Sequence, residues 1–157
     1  MKRHILVTGS PGVGKTTLIA SRIGRLPGAK TGFLTREVRE DGIRKGFIIE
    51  TLSGISVPLA VAASAGLPRV GKYRVLSESI QDVAVRSILG RADFIVIDEL
   101  GTMGGSPESF MQAVHTALAG PSTVIAAVAA NGNPFIEGIK TRPDARPYTV
   151  TRKIGIR

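Results

Sequence analysis

Apolar positions along this chain fall into two kinds of run. Some are short, unbroken and rich in β-branched residues; others recur every three or four positions. The first kind predicts buried strands at "HILVT" (His4 to Thr8), at "FIVI" within "ADFIVIDELG", and at "STVIAAVAA". The second kind predicts helices. Leu18, Ile19, Ile23 and Leu26 form one stripe from Lys15 to about Leu26, stopped by Pro27-Gly28. Ile80, Val83, Ile88 and Leu89 form another in "SESIQDVAVRSILG". Ser106-Pro107 offers an N-cap and a first-turn proline to a third helix reaching about Ala119. Two alternating segments, "TGFLTREVRE" and "IRKGFIIET", flank Asp41-Gly42 and predict a hairpin. "ISVPLAV" reads as an edge strand because of Pro58, "AASAGLPRVGK" as a loop, and "YRVL" as a short strand. "NPFIEGIK" supplies one or two helical turns and "RPYTVTR" a last strand. Strands alternating with helices, without a linker or a repeat, predict one α/β domain over residues 1–157: a mostly parallel central sheet flanked by helices, with an antiparallel hairpin insertion.

The segment between the first strand and the first helix carries chemistry. "TGSPGVGKTTL" places Gly9, Gly14, Lys15 and Thr16 at the spacing G-x-x-x-x-G-K-[ST], the P-loop or Walker A motif. Average residue frequencies produce that spacing by chance in roughly one chain in two hundred of this length. Gly9, Ser10, Pro11, Gly12, Val13, Gly14, Lys15, Thr16 and Thr17 are therefore candidate phosphate-binding residues. Small side chains let backbone N–H groups curl round an anion, and the helix directs its positive dipole end at it. Lys15 supplies a charge for the β- and γ-phosphates and Thr16 a hydroxyl for Mg²⁺. The strand "FIVIDE" ends in the acid pair of a Walker B strand. Asp98 suits the metal; Glu99 suits the role of proton acceptor for an attacking water.

Composition narrows the setting. The absence of cysteine excludes disulfides, thiol nucleophiles and thiolate metal sites, and fits a reducing compartment. Ile5 to Val7 is too short for a signal peptide, and no run approaches the ~20 apolar residues of a membrane span, so a cytoplasmic protein is expected. The formal net charge of +9 fits a polyanionic partner such as a nucleotide or nucleic acid. Only charge supports the nucleic acid, since aromatic stacking platforms are few. Arg36, Arg39 and Arg44 of the hairpin are candidates to cover a nucleotide. Arg142 is a candidate to reach a developing phosphate charge. His4 and His115 read as packing or surface residues.

Beyond these motifs, the chain resembles the small P-loop nucleoside-triphosphatases described first from thermophiles, whose animal relatives are called cancer-related nucleoside-triphosphatases. The resemblance rests on "TGSPGVGKTTL", the hairpin Gly32 to Gly54, "VGKYRV" (Val70 to Val75) and "IVIDELGTM" (Ile95 to Met103). It implies a RecA-like P-loop NTPase core and Mg²⁺-dependent hydrolysis of ATP, GTP, CTP and UTP with little base selectivity. It also implies that the turn Asp98, Glu99, Leu100 and Gly101 lies beside the γ-phosphate and metal. The chain departs from the family pattern at Gly104-Gly105, where an acid is usual, and in its short end "TRKIGIR". Two other functions stand open: a nucleotide or small-molecule kinase, which needs an acceptor pocket, and an RNA-associated nucleotide-binding module. No N-K-x-D motif supports a regulatory GTPase, since "NGNP" at Asn131 to Pro134 lacks both lysine and aspartate.

Overall fold

The computed structural model describes residues 3–62, 69–70, 73–75, 80–100 and 107–152. The described residues form nine strands: β1 His4–Gly9, β2 Lys30–Glu40, β3 Ile43–Thr51, β4 Ser56–Ala62, β5 Arg69–Val70, β6 Tyr73–Val75, β7 Phe94–Leu100, β8 Thr123–Ala129 and β9 Ala145–Thr149. The helices are α1 Lys15–Ile23, α2 Val85–Ile88, α3 Glu108–Ala119 and α4 Pro134–Lys140, and a π-helical turn Ile80–Ala84 leads into α2. All strands join one sheet in the order β5-β6-β4-β3-β2-β7-β8-β1-β9. From β2 to β9 every pairing is parallel; from β2 outward to β5 every pairing is antiparallel.

The central parallel strands β1, β7 and β8 are mostly apolar because helices cover both of their faces, whereas the edge strand β9 is polar and largely exposed. Leu6, Ile95, Ile97, Val124, Ala126 and Val128 face one way, onto Val114 and Leu118 of α3 and Ile136 and Ile139 of α4. Val7, Val96, Ile125 and Ala127 face the other way, onto Ile19 of α1. Successive residues of each strand thus serve opposite cores, as a period of two requires. Among the described residues, no helix is long and apolar enough to cross a membrane.

The hairpin is continuous with the parallel core. Lys30 to Phe33 of β2 pair with Phe94 to Ile97 of β7, and the same strand runs on to pair with β3. Its turn has Asp41 at φ 50° and Gly42 at φ 75°, the two positive values that a tight hairpin turn needs.

Several local expectations are corrected. The first helix ends at Ile23 with Gly24 as its cap, three residues before Leu26. The strand β4 lies between β3 and β6 and is not at an edge. Pro58 is tolerated because β6 pairs only with Ala60 to Ala62, and because the β3–β4 register shifts beside it. Part of the expected loop before Tyr73 is strand β5. The helical stripe around residue 85 tightens onto Ile88, which is buried, and leaves Leu89 about half exposed. The third helix starts at Glu108 with Pro107 in the cap position; Ser106 lies outside the described residues. The last strand ends at Thr149, short of the expected Arg152.

Candidate active site

The carboxyl end of β1 opens directly into the glycine loop. Gly9 adopts φ 151°, and a Cβ there would meet the Val150 carbonyl oxygen at 2.7 Å and Val13 Cγ1 at 2.9 Å. Gly14 holds φ 107° and ψ 25°, the left-handed conformation from which α1 starts. The Val13 N–H donates to the Ser10 carbonyl at 3.2 Å and closes the loop on itself. Ser10, Pro11 and Gly12 stand exposed at the tip, and Thr17 is exposed on the first turn of α1. Val150 N–H donates to Thr8 O at 2.8 Å, so the chain leaving β9 flanks the loop on one side. On the other side lies β8, and beyond it β7 with the acids.

Lys15 and Thr16 bring the loop to those acids. Lys15 is buried, 5% exposed; its ammonium donates to Gly9 O at 2.8 Å and lies 3.6 Å from Glu99 Oε2. The Thr16 hydroxyl lies 2.9 Å from Asp98 Oδ1 and 2.8 Å from Oδ2. Asp98 is fully buried. Burial pushes its carboxyl above the usual carboxylate range, opposed by hydrogen bonds from Thr16 and Thr35 and by the Lys15 charge. The acids follow Ile97, which pairs with Phe33 of β2, and their shared peptide bond is cis.

Thr35 is the contact that sequence reasoning missed. Its backbone N–H donates to Asp98 Oδ2 at 3.1 Å and its hydroxyl lies 3.3 Å from the same oxygen. Nothing in the local pattern of "GFLTREV" singles it out. It reaches Asp98 because β2 pairs with β7 up to Phe33↔Ile97, and Thr35 is two residues further along. Leu100 is nearly sealed in the core, 1% exposed, and pairs with Val128, so its side chain has no access to a nucleotide. Gly101 and the segment Gly104-Gly105 lie outside the described residues.

The candidate arginines are engaged elsewhere. Arg142 forks onto Asp144 at 2.9 and 2.8 Å and lies 3.4 Å from Leu118 O. Asp144 immediately precedes β9 and its carbonyl accepts from Arg3 and His4 N–H, so Arg142 sits at the amino end of β1 and β9. The loop is at the other end of β1, about 17 Å away at strand rise. In the hairpin, Arg36 pairs with Glu50, and Arg39 and Arg44 both pair with Glu37. Those arginines hold the Glu37 carboxyl below its ordinary range, Arg44 most strongly. His115 is an exposed α3 residue packed edge-on against Phe135, with ring centres 5.2 Å apart. His4 is buried structure, bonded to Leu118 O and Val124 N–H.

The donor set fits a hard, oxygen-seeking cation: a carboxylate and a hydroxyl within 3 Å of each other, with no nitrogen or sulfur ligand. Among the described residues no cluster of three or more His, Cys, Asp or Glu forms a metal cage.

Comparison with known proteins identifies the family. The model of a family described as NTPase matches residues 4–154. The chain is 40% identical over 152 residues to the nucleoside-triphosphatase THEP1 of Thermotoga sp. (strain RQ2), covering 95% of this chain and 87% of that protein. It is 38% identical over 173 residues to the human cancer-related nucleoside-triphosphatase, covering 98% and 90%. Among solved structures, THEP1 from Aquifex aeolicus superposes with a TM-score of 0.81 at 28% identity, over 94% of this chain and 90% of that one. The solution structure of the human protein superposes with a TM-score of 0.80 at 34% identity, over 96% and 90%.

Proposed function

The chain belongs to the NTPase family, and from that premise we propose that it hydrolyses nucleoside triphosphates to diphosphate and phosphate at the loop between β1 and α1. The observation that carries this reading is the convergence of Thr16 on Asp98 and of Lys15 on Glu99, which joins two segments more than eighty residues apart.

In the proposed site, the loop N–H groups and the start of α1 bind the triphosphate, and Lys15 neutralises its β- and γ-oxygens. Thr16 and Asp98 would hold Mg²⁺, which would offset the charge that builds on the phosphoryl oxygens. Glu99 Oε2 stands 3.6 Å from the Lys15 ammonium, the cation proposed for the β- and γ-phosphates. It takes the proton of a water whose oxygen attacks the γ-phosphorus. As that bond forms, the bond from phosphorus to the bridging oxygen breaks and the diphosphate leaves. Arginine assistance is worth ~10³–10⁵ in such reactions. Arg142, Arg36, Arg39 and Arg44 are committed to Asp144, Glu50 and Glu37, so these four do not supply that assistance.

Phosphate release across ATP, GTP, CTP, UTP and the matching di- and monophosphates, with and without Mg²⁺, tests the reading. Release from every triphosphate without an acceptor is expected. Dependence on an added acceptor would identify a kinase instead. Stimulation by RNA that weakens steeply with salt would identify an RNA-linked module.

A further inference from the structure

The Asp98 carboxylate is held unevenly. A carboxylate offers about four lone-pair positions, two on each oxygen. The one Thr16 hydroxyl proton is shared between Oδ2, at 2.8 Å, and Oδ1, at 2.9 Å. The Thr35 N–H at 3.1 Å and the Thr35 hydroxyl at 3.3 Å both fall on Oδ2, and among the described residues Oδ1 has no donor besides Thr16. Thr35 therefore crowds one oxygen with two donors and fixes the plane of the carboxylate. We infer that Thr35 is a positioning residue: it anchors Asp98 Oδ2 to the root of the β2–β3 hairpin and so presents Oδ1 to the metal. The inference rests on the proposed metal role of Asp98 and adds to it a residue from a different strand. It also gives β2 a use beyond the sheet. Pairing of β2 with β7 runs to Phe33↔Ile97, so the continuing strand carries Thr35 alongside the acid pair.

Outer contacts of this kind typically contribute ~10–100-fold to metal affinity. Thr35→Val removes the hydroxyl and keeps the backbone N–H, so the lower end of that range applies. The probe is Mn²⁺ bound with a non-hydrolysable triphosphate analogue, followed by electron paramagnetic resonance, beside affinity for the same analogue without metal. Thr35→Val is expected to weaken Mn²⁺ by roughly 10-fold and to change the metal-free affinity by less than about 2-fold. Thr35→Ser, which restores the hydroxyl, is expected to return Mn²⁺ affinity to within about 3-fold of wild type. Asp98→Asn serves as the control for the metal site itself. If Asp98→Asn weakens Mn²⁺ and Thr35→Val does not, the inference fails and the metal role of Asp98 stands. If Asp98→Asn leaves Mn²⁺ unaffected, both fail. Equal losses in Thr35→Val and Thr35→Ser with a lowered melting temperature make Thr35 a packing residue and overturn the inference.

Discussion

His4 begins the strand that carries the phosphate loop, and its ring is fully buried. Nδ1 accepts from Val124 N–H at 3.1 Å, and Nε2 donates to Leu118 O at 3.0 Å. The two bonds are unequal in consequence. Leu118 O also faces Arg3 Nη2 at 3.3 Å and Arg142 Nη2 at 3.4 Å, so it keeps donors when the imidazole is lost. Val124 N–H has the ring as its acceptor in a buried position. His4→Asn can mimic Nδ1 and keep Val124 satisfied; it is expected to cost about 0.5–1.5 kcal/mol, the net worth of one hydrogen bond. His4→Gln mimics Nε2 instead and strands Val124 N–H, at about 1–3 kcal/mol. His4→Ala adds a cavity to that loss and is expected to cost about 3–5 kcal/mol, a large share of a domain's stability. Urea unfolding monitored by circular dichroism measures all three, with the slope checked for constancy. Burial also lowers the His4 pKa below 6.5, assisted by Arg3 and Arg142 and opposed by the Leu118 carbonyl and Asp144. The unfolded chain then binds more protons than the folded one at mildly acid pH. The stabilisation is complete above about 6.5 and is lost as pH falls through the folded-state value, a decline that His4→Asn should lack. The hydrogen-bond reasoning is refuted if His4→Asn costs as much as His4→Gln, or if His4→Ala costs less than about 1 kcal/mol.

Lys15→Ala should abolish hydrolysis and weaken triphosphate binding, read by single-turnover phosphate release and equilibrium titration; wild-type affinity would remove the phosphate role of Lys15. Glu99→Gln keeps the shape and removes the proton acceptor, so hydrolysis should fall by about 10²–10⁴-fold while the Mg²⁺–triphosphate complex persists. An undiminished rate in that variant would leave Glu99 as a structural ion-pair partner of Lys15. Arg142→Ala should leave the catalytic rate unchanged and cost about 0–1 kcal/mol of stability, as loss of a partly exposed ion pair does. A selective drop in rate would show that Arg142 reaches the phosphate after all.

What the sequence by itself determined is local. The strand–glycine loop–helix unit from His4 to Ile23 was legible because its backbone needs glycine at Gly9 and Gly14 and its chemistry needs Lys15 and Thr16 at fixed offsets. The hairpin was legible because Asp41-Gly42 is a turn signal between two alternating runs. The acid pair was legible because Asp98 and Glu99 follow an unbroken apolar run, an anomaly visible without coordinates, although the strand itself runs on to Leu100. Periodicity says which residues are buried, but it does not say which strands are neighbours. Only the tertiary structure decided that β2 pairs with β7, and with it that Thr35 meets Asp98. Only the structure placed Arg142 at the amino end of β9, bonded to Asp144, where a loop arginine had looked free to reach a phosphate. Strand order in a parallel sheet is set by long crossovers and by helices packed on both faces, and no short window of residues contains that information.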